Sequence, residues 1–308
     1  MLRLGALLAA IAVVGCNLLA STAVPTIQPT PSFLPTAFST PIPSVAVTAP
    51  LPTATGTGQL TPVAPSGPYA VVLVPAGDVL NIRAAPGASS PIVGSFGPTS
   101  AAVIRTGPSA AIGSSLWVEV ERPGGGTGWV NQRYLTEYVA PVAFCGDGMV
   151  SALLDAAAEA FSSSDGSALA SLVSPIHGLD VRVWRWGTVA NYSREEAQLV
   201  FDSTYEIAWG PAPGSGLETN GSFREVVLPR LLDVLSKPHE PHCNDALDLA
   251  TFALEPWPAE YTNVNFQNLY RLGSEQYGGL DWRAWLAGVE YVDGKPYLFA
   301  LVHFQWEP

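Results

Sequence analysis

Charge is what this sequence has least of. Only 13% of its 308 residues are acidic or basic, and 14 scattered Lys and Arg stand against 26 Asp and Glu, for a net charge of -12. Phosphate backbones are held by clustered basic side chains, so this balance excludes nucleic acid as a partner. It also argues against a soluble partner held by charge steering. Histidine, with four copies, and cysteine, with three, are equally sparse. Metal or nucleophile chemistry is thereby confined to a few positions. The apolar run at residues 4–14 is eleven long, short of the roughly 20 residues that span a bilayer.

What is present is ordered along the chain. Met1 and Arg3 give a short positive start, the apolar run follows, and Gly15 precedes Cys16. "VVGC" resembles the bacterial lipobox, with a small residue before the cysteine that becomes the lipidated N-terminus. The resemblance implies that residues 1–16 are a lipoprotein signal, that lipid on Cys16 holds the chain to the membrane, and that it works extracytoplasmically in the cell envelope. An ordinary secretory peptide or an uncleaved anchor is the alternative, and either also places the chain outside the cytoplasm. Residues 17–68 carry no charge and are rich in Pro, Thr, Ser and Ala. Such a segment buries too little apolar surface to offset its ordering entropy, so a disordered, semi-extended stalk is expected. At about 3.1 Å per residue, 40 residues reach on the order of 120 Å.

The first folded unit is read at 69–139. "AVVLV", "LNIR", "SPIVGSF", "LWVEVE" and "GWVNQRYL" are short apolar or alternating runs separated by Pro-Gly and Gly-rich turns, the pattern of a small β-barrel. Leu80, Asn81, Ile82 and Arg83 with Pro86 and Gly87, then Leu116, Trp117 and Val118, then Gly128, Trp129, Val130, Tyr134 and Leu135 resemble the bacterial SH3-like (SH3b) family. Two departures stand out: Ala85 occupies the usual Ser position, and "TGPSAAIGSS" reads as a long, bland distal loop. The resemblance implies binding of peptidoglycan or other envelope peptides. Alternation places Leu80, Ile82, Val118 and Val130 in the core. Trp117, Trp129, Tyr134 and Arg83 are the candidates for a ligand groove. For each ring, packing across a small barrel is the competing role, as is turn stabilisation for Arg83.

The second unit, 144–308, reads as α+β: helices packed on a curved antiparallel sheet. An Ala-rich helix follows Gly148, a strand runs through Val181 and Val183 with Arg182, Trp184 and Trp186 on its other face, and Ser193/Glu196 and Ser222/Glu225 form capping boxes. Pro229 is expected to kink the helix after the second box. Asp293-Gly294 between alternating apolar runs predicts a two-residue hairpin. Strict alternation from that turn puts Trp285, Val289, Leu298, Val302 and Phe304 on one face. Glu290, Tyr297 and His303 then share the other, a candidate pocket floor, with Glu290 and His303 too far apart to act as a pair. The element order looks like the cone-shaped fold of the nuclear transport factor two type. "LASLVSPIHGLDV" and "DGKPYLFALVHFQW" look similar to C-terminal domains of uncharacterised bacterial lipoproteins, which implies an envelope role.

The chemically suggestive stretch is "KPHEPHC", residues 237–243. Its histidines, His239 and His242, are three apart and flanked by Pro238 and Pro241, which fits no helical zinc motif. Cys145 before a helix with His177 downstream lacks the sequence context of wall-cleaving cysteine peptidases. With Cys16 assigned to lipid, Cys145 and Cys243 remain as one pair in an exported domain, and a disulfide is expected. The reading is therefore a non-catalytic sensor or binding domain behind an SH3b module, without metal or cofactor. An envelope enzyme with a site in the sheet concavity and a structural spacer are the alternatives.

Overall fold

The computed structural model describes residues 67–184, 187–247 and 256–307. Cys16, the signal segment, the stalk up to residue 66 and Trp186 lie outside them. The barrel consists of β1 (Tyr69–Val71), β2 (Leu80–Arg83), β3 (Ile92–Phe96), β4 (Arg105–Ile112), β5 (Ser115–Glu121), β6 (Thr127–Asn131) and β7 (Leu135–Glu137). Five strands form a sheet in the order β3-β2-β6-β5-β4, and β1 pairs with β7. Ile82, Val118, Val120 and Val130 are fully buried, as alternation requires. The bland loop expected around residue 110 is instead strand β4. It turns at Gly113, at φ 60°, into β5 with Ile112 opposite Ser115, and Thr106 donates to Glu119 across the pair. Small residues mask the strand in the sequence because its outward face is open to solvent.

The second unit opens with α1 (Pro141–Cys145), α2 (Gly148–Ser163) and α3 (Gly166–Leu172). Asp147 and Asp165 cap α2 and α3 by accepting from Met149 N and Ala168 N. There follow β8 (Leu179–Arg182), β9 (Val189–Tyr192), α4 (Arg194–Ala197), β10 (Ile207–Pro211), β11 (Glu218–Gly221), α5 (Leu228–Leu235), β12 (Glu240–Cys243), β13 (Asn265–Arg271), β14 (Arg283–Val292) and β15 (Lys295–Gln305). Both capping boxes form. A π-helical turn at Phe223–Val227 runs directly into α5, and Pro229 stands in the first turn of α5, so the winding changes just ahead of the proline, near the start of the helical run, as its missing N–H requires.

Six strands make the main sheet in the order β12-β13-β14-β15-β8-β9. It is mixed and not antiparallel throughout, because β15 runs parallel to β8. The Asp293-Gly294 turn holds, with Val292 opposite Lys295 and Glu290 opposite Tyr297. Strict alternation does not. A bulge sets Val289 against Leu298 but Gly288 against Ala300, so Phe299 is an extra residue and every side chain beyond it changes face. His303 and Leu301 therefore join Trp285, and Val302 and Phe304 cross to the other side.

Both faces of this sheet are covered, which explains why "YLFALVHF" is almost continuously apolar. One face packs on the helices, with Phe161, Leu231, Trp285 and Leu298 in a common core. The other packs Leu286, Phe299, Val302 and Phe304 under Tyr261, Trp257 and the barrel residues Val72 and Leu73. Gly288 admits the Trp257 ring, since a Cβ there would lie 2.7 Å from Trp257 Cη2.

Hydrogen bonds fasten the barrel to this second face. Leu73 N donates to Glu260 O at 2.8 Å, Asn263 Nδ2 donates to Val71 O at 2.8 Å, and the hairpin N–H groups of Asp293 and Gly294 donate to Glu137. The most buried link is His177, on the loop before β8. Its Nε2 meets Arg133 O at 2.9 Å, and its Nδ1 meets Glu290 Oε2 at 2.7 Å. A carbonyl only accepts, so Nε2 carries a proton, and a second proton lies between Nδ1 and Oε2. Thr136 of β7 donates to the same carboxylate oxygen. Removing one partner of such a buried pair costs about 3–5 kcal/mol. His177→Ala is expected to lower unfolding stability by that amount in denaturant titration. The volume-matched double variant His177→Phe/Glu290→Leu should recover most of it, and two separate unfolding transitions in the wild type would contradict a shared core.

His303 is also enclosed. Its Nδ1 donates to Val183 O at 3.1 Å and its ring lies 4.9 Å from that of Trp285. Burial, aided by the positive charges of Arg230 and Arg283, pushes its pKa down to about 3. The unfolded chain binds a proton there near its ordinary value of about 6.5, whereas the folded one does not. Stability should accordingly be whole above about pH 6.5 and fall by up to about 1.4 kcal/mol per unit as pH drops toward 3. In His303→Phe that slope should be shallower in denaturant melts at pH 7, 6, 5 and 4.

Candidate functional site

The barrel's outer face carries the clearest concavity among the groove candidates. Inward residues Leu80, Ile82, Val118 and Val130 make the core. The alternate residues Asn81, Arg83, Trp117 and Asn131 therefore face outward. Gly128 lets β6 approach β2, because a Cβ there would stand 2.5 Å from Ile82 Cγ2. Over this surface lie the segment 73–79 and the 3₁₀ turn Gln132–Tyr134. The Asn131 side chain caps that turn by accepting from Arg133 N.

The cavity between them holds about 530 Å³ and is lined by Arg83, Trp117 and Tyr134 together with Asp78, Asn81 and Asn131. Three of the four groove candidates thus meet in one place. Trp129 does not line it. It sits half-buried, opposite Arg83 and Glu119 on neighbouring strands. Arg83 also serves the turn, donating through Nη1 to Ser90 O at 2.7 Å. Trp117 is the floor, only 6% exposed, while Tyr134 is half-buried at the side. The site offers aromatic surface, one carboxylate, one guanidinium and two carboxamides, a set suited to an extended polar peptide. Asp78 and the 73–79 segment were not picked out from sequence. The turn-forming Pro75 and Gly77 were the only signal there.

The pocket candidates of the second unit do not come together. Glu290 and His303 are each 2% exposed. The bulge places them on opposite faces of the sheet, and neither lines a described cavity. Glu290 Oε2 is taken up by the His177 and Thr136 contacts, while its Oε1 is buried without a hydrogen-bond partner among the described residues, and His303 packs against Trp184 and Trp285 on the helix side. Tyr297 is paired opposite Glu290 across the hairpin, but its ring stands between the cations of Arg194 and Lys295 and lines a separate cavity of about 340 Å³ beside α2 and α3.

Cys145 and Cys243 are bonded to each other across 98 positions. The Cys145 thiol is therefore engaged, and His177 faces the barrel instead. The "EPHC" stretch is edge strand β12, paired to β13 with His242 opposite Asn268. Pro241 is tolerated because an edge strand leaves one side of its backbone without a ladder. Among the described residues no three His, Cys, Asp or Glu side chains stand close enough to hold a metal ion. No described helix is long and apolar enough to cross a membrane.

No curated protein and no solved structure matches the chain. Residues 78–136, which contain β2 to β6 and most of the groove, match the family described as the bacterial SH3 domain, so this part of the chain is similar to that family.

Proposed function

We propose that the chain is a lipid-anchored protein of the cell envelope whose SH3 domain grips an extended peptide of the wall in the groove over Trp117. The meeting of Arg83, Trp117 and Tyr134 with Asp78 in one cavity is the observation that carries this reading. Cell-wall peptides are short, extended and zwitterionic, which suits a groove with one charge of each sign on an aromatic floor. The second unit acts without catalysis, as a binding or sensing body rigidly joined to the barrel. The bonding of Cys145 to Cys243 and the separation of Glu290 from His303 support that reading.

The two parts share a core through Val72, so deletion of the barrel is a poor test of wall binding. Point variants in the groove keep the fold. Retention of the protein on isolated cell walls in a sedimentation assay is expected to weaken about tenfold in Tyr134→Ala, the size of an aromatic hot spot. Arg83→Gln should weaken it less, and a Trp129→Ala control hardly at all. Equal retention of all three variants, or none of the wild type, would remove the proposal.

The anchor is tested separately. Cys16→Ser is expected to move the chain from the membrane fraction to the soluble fraction on cell fractionation, and to remove the mass of the attached lipid from the N-terminal peptide. Unchanged fractionation would sink the lipid assignment.

A further inference from the structure

A second cavity, remote in sequence from the barrel, is built where the main sheet ends at β9. It holds about 430 Å³ and lies between β9, the segment after α4 and Phe223. That is within the size range of small-ligand sites. Its walls are Ala190, Val200, Ile207 and Phe223, with Tyr192 and Tyr205 as further rings. Two apolar side chains at its edge are left in water: Leu199 is 60% exposed and Tyr205 77%. The Tyr192 ring lines the cavity and meets Phe223 edge-on at 5.5 Å, with its hydroxyl buried.

The charge around this cavity has one sign. Glu196 lines it. Its Oε2 accepts from Ser193 N in the capping box, and Oε1 remains for another donor. Glu195, Asp202 and Glu206 flank it in sequence. The neighbouring guanidiniums are turned to other work: Arg194 donates to Val173 O and stacks on Tyr297, and Arg224 donates to Phe201 O. Neither lines the cavity. Burial first, and the Glu196 charge second, push the Tyr192 phenol above its ordinary range, so its oxygen stays protonated and neutral.

We infer that this cavity binds a small apolar ammonium compound, its hydrocarbon body among Phe223, Ile207 and Tyr192 and its cationic nitrogen at Glu196. An ammonium group has three N–H donors, one of which Glu196 Oε1 can accept, and the faces of Tyr192, Tyr205 and Phe223 attract it further. The site is independent of the wall-binding groove.

Phenethylammonium is a suitable probe, compared with 2-phenylethanol and phenylacetate on the intact chain by saturation-transfer NMR and calorimetry at pH 7. The ammonium is expected to bind with a Kd of about 1 mM, the range open to a ligand of this size. The alcohol should bind several-fold more weakly and the carboxylate not measurably. Glu196→Gln keeps an acceptor for the capping box and should reduce ammonium affinity to that of the alcohol. Ser203→Phe, which fills the wall, should abolish binding of both. If that variant fails to fold by circular dichroism, Leu199→Lys serves, since this side chain lines the cavity and is 60% exposed, with an expected loss of ammonium affinity of about threefold from the added like charge. Equal binding of ammonium and alcohol, indifference to Glu196→Gln, or no binding of any probe would overturn the inference.

Discussion

The structure depends on covering the second face of the main sheet. A single antiparallel or mixed sheet with helices on one side can leave its other side wet, but here β14 and β15 are apolar on both sides. Helices close one face. The other is closed by Tyr261 and Trp257 and by two residues, Val72 and Leu73, that directly follow the barrel's first strand. The barrel is therefore part of the second unit's core. His177, Glu290 and Thr136 give that seam a directional lock, since a buried carboxyl group needs hydrogen-bond partners and finds them across the seam.

This arrangement sets the groove beside the seam. Leu73 both lines the groove and packs in the shared core, and the turn that walls the groove gives its Arg133 carbonyl to His177. The disulfide between α1 and β12 ties the first helix after the barrel to the edge of the main sheet. The ammonium cavity forms at the other edge, beside β9, where the sheet runs out and exposed apolar side chains gather.

Much of this was legible in the sequence where local rules are strong. The Asp293-Gly294 turn, both capping boxes, the inward valines of β5 and β6 and the cysteine pair follow from turn chemistry, side-chain hydrogen bonding, alternation and arithmetic. The failures have a common cause, which is information not local to the residues concerned. The Phe299 bulge is invisible because an apolar residue at every position of 298–302 carries no phase. Its consequence was the wrong face for His303. Glu290 read as a pocket carboxylate because its partners, His177 and Thr136, lie more than a hundred positions away. Strand β4 was hidden by its own solvent-facing, small-residue composition. Three of four groove residues were named because β-strand alternation and the Gly-Trp-Val pattern are short-range. The 73–79 roof was not, because segments without periodicity do not reveal what they cover.

The way the chain enters the barrel has a mechanical meaning. Pro68 O accepts from Tyr138 N, Tyr69 exchanges a pair of backbone bonds with Val103, Val71 N donates to Ser100 O, Val72 N to Tyr134 O and Leu73 N to Glu260 O. Five of the six residues from 68 to 73 are thus sewn in turn to the end of the barrel, its middle, and the domain beyond it. A pull arriving through the chain ahead of residue 68 would not peel one loose strand. It would load several separate parts of the fold together, as a strap stitched along its length spreads tension over the whole cloth.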